Sequence, residues 1–430
     1  MIETIEYPET DASRYLDLMP PDAAHCLTEL AAQFGDIRVI HMNSTANGGG
    51  VAEILHSLVP LSNALGIRTQ RAVINPKDPR FFDVTKRIHN MLQGAEGSLS
   101  EEELAVYYGC LDDVAEEIER IGLSADVWFL HDPQLLPLGR LLDHCSGATR
   151  IWTVHIDLTQ PNAWLMDELL PLTAAYDALI CSMDTYVPGR LPPGPAVHIA
   201  PPAIDPLTTK NSVMPGERSA EIASLLGIDT CRPLVTQVSR FDVWKDPWGV
   251  IDAYRLACKS HPGLQLALLG LSQANDDPEG AQVVESVRDY AGDDSNIHLF
   301  FSPDDLPASN DEIVNALQTH SDVLVQKSTR EGFGLTVSEG MWKGKAIIGG
   351  NVGGIRLQIE DGQSGYLVNS SVEAGERIAQ LLSDPDLRAT IGKNARQRVR
   401  ERFLMPRLMY DYMRAAQQAR KFGAAANGVQ

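Results

Sequence analysis

Positive charge is scarce in this 430-residue chain: Lys and Arg number 36 against 57 Asp and Glu, a formal net charge of −21. Such a surface repels phosphate backbones and anionic bilayers at long range, which argues against nucleic-acid binding and membrane docking. Any anionic ligand must then be met by cations placed locally. Cysteine is sparse too. Six thiols, Cys26, Cys110, Cys145, Cys181, Cys231 and Cys258, lie far apart with no CxxC spacing and no zinc-type histidine pairing. Free thiols, buried or half-buried in a reduced cytoplasmic compartment, are the expectation. No run of 18 or more apolar residues appears. The acidic opening MIETIEYPETDASRYLD does not read as a secretory leader.

What is present is a repeated rhythm. Short β-branched runs alternate with helical patterns from about residue 36: DIRVIHMN (36–43), RTQRAVIN (68–75), ADVWFLHD (125–132), RIWTVHID (150–157) and YDALICSM (176–183). Between the first two, Val51, Ile54, Leu55, Leu58, Val59 and Leu65 recur at helical spacing. The rhythm breaks at HIAPPAIDPLTTKNSVMPGE (198–217), which reads as a connector, and then starts again. PLVTQVSRFD (233–242), LQLALLGL (264–271), NIHLFF (296–301), SDVLVQKS (321–328) and KAIIGG (345–350) are the next strands. Helices are expected around 248–258, 279–290, 311–318 and 336–342. The fold class is α/β, with two doubly wound, Rossmann-like parallel-sheet domains facing a central cleft. The expected boundaries are 1–205 and 206–405. The charged tail is interrupted by Pro406, which should kink or split its helix. Its last part, 406–430, is expected to pack back on the first domain.

Three stretches carry chemistry. In HMNSTANGGGVAE (41–53), a glycine triplet stands where a strand hands over to an amphipathic helix, a place where open N–H groups meet ligands. The dinucleotide fingerprint fails at Glu53 and the P-loop lysine is missing. The loop is therefore read as approaching a polar ligand such as a sugar, the alternative being a tight turn without one. In SRFDVWKDP (239–247), Arg240 and Lys245 follow the first strand of the second domain, a forked donor and a point charge suited to a diphosphate. In STREGFGLTVSEGMWKGKAIIGGNVGG (328–354), Glu331 precedes Gly332 and Gly334 at a helix start, and Glu339 lies within that helix. Carboxylates so placed accept hydrogen bonds from sugar and ribose hydroxyls.

EGFGLTVSEG is an E-x7-E motif that resembles the retaining GT-B glycosyltransferases of glycosyltransferase family 4, and SRFDVWKDP fits the same group. HMNSTANGGGVAEILHSLVPL, HDPQLLPL (131–138), TVHIDLTQP (153–161) and PPAIDPL (201–207) are similar to its trehalose synthase subgroup. The similarity runs from about 36 to 405. It implies that Arg240 and Lys245 hold the donor diphosphate. Glu331, with the Gly332, Phe333, Gly334 and Leu335 segment, would bind donor-sugar hydroxyls, and Glu339 the ribose. His155 would face the donor sugar near the reacting carbon. The acceptor side would comprise Asn43, Gly49, Gly50, His131, Asp132, Gln134 and Asp157.

The reaction the resemblance implies is transfer of glucose, with retention, from a nucleoside diphosphate glucose such as UDP-glucose or ADP-glucose to glucose, forming trehalose. A retaining trehalose phosphorylase, or a GT-B transferase with another small acceptor, is the alternative. The partners implied are the nucleotide-sugar donor and a small sugar acceptor, with homodimerisation left open. No D-x-D motif stands between the domains, so no cofactor or catalytic metal is expected and any Mg2+ would be non-essential. Replacing Glu331 by Ala should lower turnover far more than it alters folding, because its partners are expected on the ligand.

Overall fold

The computed structural model describes residues 2–142, 147–270, 278–302 and 306–427. Its contacts divide the chain into two compact units, one of residues 1–202 with 405–430 and one of 203–404.

Among the described residues of the first unit, seven strands form one sheet: β1 (Ile2–Ile5), β2 (Arg38–Asn43), β3 (Arg68–Ile74), β4 (Val127–His131), β5 (Thr149–Val154), β6 (Ala178–Cys181) and β7 (Ala196–Ile199), in the order β1-β3-β2-β4-β5-β6-β7. All neighbours are parallel except β1, which runs antiparallel along β3 with Ile2 opposite Ile74. The inner strands read as unbroken apolar runs because helices cover both of their faces. VWFLH of β4, for instance, is buried at every position. Among these helices are Pro21–Ala32, Gly50–Ala64, Arg80–Leu92 and Glu101–Arg120. The last of them starts at a capping box, Ser100 with Glu103, in a stretch to which sequence periodicity had assigned no element.

The second unit repeats the plan with six strands among its described residues: β8 (Leu234–Val238), β9 (Gln265–Leu269), β10 (Ile297–Phe300), β11 (Val323–Gln326), β12 (Ala346–Gly350) and β13 (Tyr366–Val368), ordered β10-β9-β8-β11-β12-β13 and parallel throughout. Each expected strand is present, trimmed by a few residues at its ends. β1, β7 and β13 come in addition.

The tail is split into two helices, as expected. The helix Pro385–Arg402 ends ahead of Pro406, and Pro406 is the second residue of a new helix, Met405–Asn427. A proline there costs nothing, since first-turn N–H groups have no helical acceptor. The new helix buries Leu408, Met409, Tyr412 and Met413 and lies against the helices Pro21–Ala32 and Gly50–Ala64 of the first unit. Arg407 fastens its start by donating to the carbonyls of Pro201 and Pro202 at 2.6 and 3.2 Å.

Cysteine placement is corrected. Cys110 and Cys181 are buried free thiols and Cys258 is half-buried, but Cys26 and Cys231 are exposed. Cys145 lies outside the described residues. Among the described residues no helix is long and apolar enough to cross a membrane.

Candidate active site

Ligands of open α/β sheets bind beyond the carboxyl ends of the strands, where the strand order reverses. In the second unit that point lies between β8 and β11. The loops leaving these two strands are sewn together. The Thr329 N–H donates to the Trp244 carbonyl at 2.8 Å, the Arg330 guanidinium sits 4.5 Å over the Trp244 ring, and the Lys327 ammonium pairs with the Asp246 carboxylate. Asp246 itself adopts a left-handed φ of +47° while capping the helix Pro247–Ala257.

At the centre of this junction Lys245 Nζ lies 2.6 Å from Glu331 Oε2, and the two side chains are 15% and 10% exposed. Ser328 Oγ donates to the same oxygen at 3.1 Å. Two of the sequence candidates are thus brought into direct contact. Glu331 has partners within the chain, contrary to the expectation that they would lie on a ligand, so its removal must also touch folding. Arg240 differs: its side chain is 79% exposed and pairs with Asp242 at 3.2 Å.

Glycine is needed at Gly334, whose φ of +81° starts the helix Leu335–Trp342. Gln358, fully buried, donates to the carbonyls of Phe333 and Gly334 and so holds that turn. The Phe333 ring packs on Phe403 with centroids 5.7 Å apart, so Phe333 offers the site its backbone. Leu335 is the first helical residue and half-buried. Glu339 is 1% exposed, accepts from Gln318 at 3.3 Å and lies 3.4 Å from the Lys210 ammonium. Lys210 and Gln318 were not singled out from the sequence. Nothing in their spacing pointed to Glu339.

In the first unit the order reverses between β2 and β4. The glycine loop leaves β2, residues 132–134 leave β4, and His155 to Asp157 leave β5. Gly48 and Gly49 have φ of +79° and +81°, so backbone conformation alone calls for glycine at both, and Gly50 opens the helix. The loop is exposed around Gly49 and Gly50. Its entry is held by Arg71, a fully buried cation. Arg71 donates to Asn43 Oδ1 (2.9 Å), to the Tyr7 hydroxyl (2.9 Å) and to the carbonyls of Thr45 and Ala46 (2.8 and 2.9 Å). Asn43 completes the brace by donating to Thr45 O at 2.6 Å. Its amide is therefore structural glue for the loop.

His155, just past the end of β5, stands beside His131 on β4, which in turn stands beside His41 on β2. His155 Nε2 is 3.0 Å from His131 Nδ1, and His131 Nε2 is 3.0 Å from His41 Nδ1. Burial, with the Arg71 charge, pushes His41 down to about 3. His131 is held well below its ordinary value by burial, by the neighbouring imidazoles and by Arg71, and burial lowers His155 against the opposing pull of Asp132. All three are neutral at pH 7. Asp132, at a strained φ of +64°, accepts the His155 N–H at 3.1 Å on Oδ1 and the Trp152 indole N–H at 3.0 Å on its carbonyl. Asp157 closes a turn by accepting from Thr159 at 2.9 and 2.6 Å. The Gln134 Oε1 is buried without a protein partner, an acceptor a bound hydroxyl would satisfy.

The trehalose synthase N-terminal domain profile matches residues 41–188, and the glycosyl transferases group 1 profile matches 220–398. A trehalose synthase from Rubrobacter xylanophilus is 43% identical over 392 residues, 90% of this chain and 92% of that protein. The chain belongs to the trehalose synthase family. Another trehalose synthase, from Pyrococcus horikoshii, is 39% identical over 400 residues, covering 93% of this chain and 94% of the relative. The fold is shared with an α,α-trehalose-phosphate synthase (UDP-forming) from Burkholderia xenovorans, solved with glucose-6-phosphate, at a TM-score of 0.70 and 14% identity over 88% of this chain and 100% of that one. As a trehalose synthase family member, the chain is a hexosyltransferase of the GT-B fold.

Proposed function

We propose that the protein transfers glucose, with retention of anomeric configuration, from a nucleoside diphosphate glucose to glucose, forming trehalose. The observation that carries the donor half is the Lys245–Glu331 pair, 2.6 Å long, at the strand-order reversal of the second unit. A diphosphate would take the ammonium from its carboxylate, with Arg240 swinging in from solvent as the second cation. Freed of Lys245, Glu331 would accept from donor-sugar hydroxyls. Glu339 would take the ribose. In the first unit His155, Gln134 and the Gly49–Gly50 backbone would meet the sugars.

In this reading the C1–O bond to the diphosphate breaks as charge gathers on the leaving phosphate, and the transition state has oxocarbenium character. Lys245 and Arg240 stabilise that charge. The acceptor hydroxyl attacks from the same face and passes its proton to the departing phosphate oxygen. Mg2+ would be dispensable.

The test is a donor-by-acceptor grid: UDP-, ADP- and GDP-glucose against glucose, glucose 6-phosphate and small polyols, with the linkage of the product read by NMR. An α,α-1,1 product from free glucose, with release of a nucleoside diphosphate, supports the proposal. Glucose 1-phosphate released from trehalose and inorganic phosphate, with no nucleotide required, would replace it with the phosphorylase reading.

A further inference from the structure

The three imidazoles, buried at His41 and His131 and half-buried at His155, come from positions far apart in the chain, and the strand order β2-β4-β5 makes them neighbours. His131 is 1% exposed and His41 3%. Ring centroids are 5.3 Å apart for His41 and His131, and 5.4 Å for His131 and His155, with interplanar angles of 28° and 15°. Phe129 stacks on His41 at 4.5 Å, and Tyr412 from the final helix lies 6.1 and 6.4 Å from His41 and His131. The rings have little freedom to turn.

Proton counting restricts what such a row can be. A neutral imidazole has one N–H and one acceptor nitrogen. Each contact joins an Nδ1 to an Nε2, so both are hydrogen bonds only if all three rings carry the proton on the same atom. Either every ring is Nδ1–H and the row donates from His41 toward His155, or every ring is Nε2–H and it donates the other way. Fixed charges choose between these. Arg71 acts on His41 and His131, whereas Asp132 acts on His155. The row is a dipole, and its acceptor end is stabilised beside the cation and its donor end beside the carboxylate. That selects Nδ1–H throughout.

We propose that His41 and His131 are positioning residues for His155, locking it as a neutral Nδ1–H donor that hydrogen-bonds a bound sugar or phosphate oxygen and cannot serve as a base. The lock follows from the first unit alone; its bearing on catalysis rests on the function proposed above. It also accounts for the proton of the acceptor hydroxyl going to the leaving phosphate, since the nearest imidazole has no vacancy for it.

The experiment is a long-range 1H–15N correlation on the full chain labelled with 15N-histidine, the three signals being assigned by single substitution. The expected result is Nδ1–H for all three at neutral pH, without titration of His41 or His131 between pH 6 and 8. His41→Leu removes the first donor and should return His155 to a mixture dominated by Nε2–H. His41→Asn, whose amide N–H stands near the Nδ1 place, should preserve the pattern. In turnover, His41→Leu should lower kcat about tenfold, with both KM values moved less than about twofold, and His41→Asn should recover most of the rate. Should the leucine variant not fold, the wild-type tautomers decide the matter by themselves. Nε2–H at His155 in the wild type, or a His155 signal indifferent to His41→Leu, overturns the lock even if the protein transfers glucose. The Nδ1–H pattern in a protein that transfers no glucose upholds the lock, overturns the function and removes the catalytic role with it.

Discussion

Substituting Glu331 by Ala separates what the Lys245–Glu331 pair does for the fold from what it does for a ligand. The two side chains are 15% and 10% exposed, so the pair is largely but not wholly desolvated. Orphaning one member of a fully buried pair costs about 3–5 kcal/mol, and partial exposure brings the expected cost here to about 2–3 kcal/mol. For a unit the size of residues 203–404 that is a fall in Tm of about 5–10 °C. The orphaned ammonium then has no internal competitor. Its affinity for a nucleoside diphosphate should hold or rise by about fivefold, equivalent to about 1 kcal/mol of relieved competition. Lys245→Ala should instead weaken the same ligand about 10- to 100-fold, the usual loss for a charged hydrogen bond. Scanning fluorimetry with and without UDP, ADP and GDP, alongside calorimetric titration, reads all of these quantities. Added diphosphate should raise the Tm of Glu331→Ala more than that of the wild type, although turnover is lost. If Glu331→Ala weakens the diphosphate as much as Lys245→Ala does, the carboxylate is not its competitor and the reasoning fails.

Three further outcomes follow from the same contacts. Arg71→Met leaves Asn43 and the carbonyls of Thr45 and Ala46 without their donor; a loss of about 3 kcal/mol in urea unfolding is expected, with a raised KM for the acceptor and an unmoved KM for the donor. Lys343 is half-buried beside Asn211, and desolvation lowers it to about 8 from an ordinary 10.5; the unfolded chain holds this proton between those two values and the folded chain does not, so stability should rise from pH 8 to 10.5, and Lys343→Met should abolish about 3 kcal/mol of that rise in chemical denaturation. Ending the chain at Leu404 uncovers the seats of Leu408, Met409, Tyr412 and Met413, about 1.5–3 kcal/mol each, a sum close to the whole stability of a domain, so the truncated chain should be largely unfolded or insoluble by circular dichroism and sedimentation.

The double winding could be read from the sequence because parallel strands covered on both faces are nearly pure apolar runs, as in VWFL, LQLALL and AIIGG. The strands that escaped notice lack that signature. Ile2–Ile5 pairs along one edge in an acidic segment, and Ala196–Ile199 alternates half-buried with exposed positions. The helix Glu101–Arg120 was readable through SLSEEE, a capping box that the periodicity argument passed over. At the candidate site, Lys245 stood out because a cation at a strand end is rare in so acidic a chain, and Glu331 because it precedes Gly332 and Gly334 at a helix start. Arg71 did not, since in RTQRAVIN it looks like one more polar position of an alternating strand. The alignment of His41, His131 and His155 depends on which strands lie next to each other, and strand order is not written in any local pattern.

The return of the last helix to the first unit has a consequence for how the polypeptide is made. Residues 203–404 are contiguous and can collapse as soon as they clear the ribosome, whereas the half synthesised first must wait, one wall missing, until the helix Met405–Asn427 has been made. Vectorial synthesis ordinarily lets amino-terminal domains mature first. Here the order is inverted, and the nascent amino-terminal half is the one that would call on a chaperone.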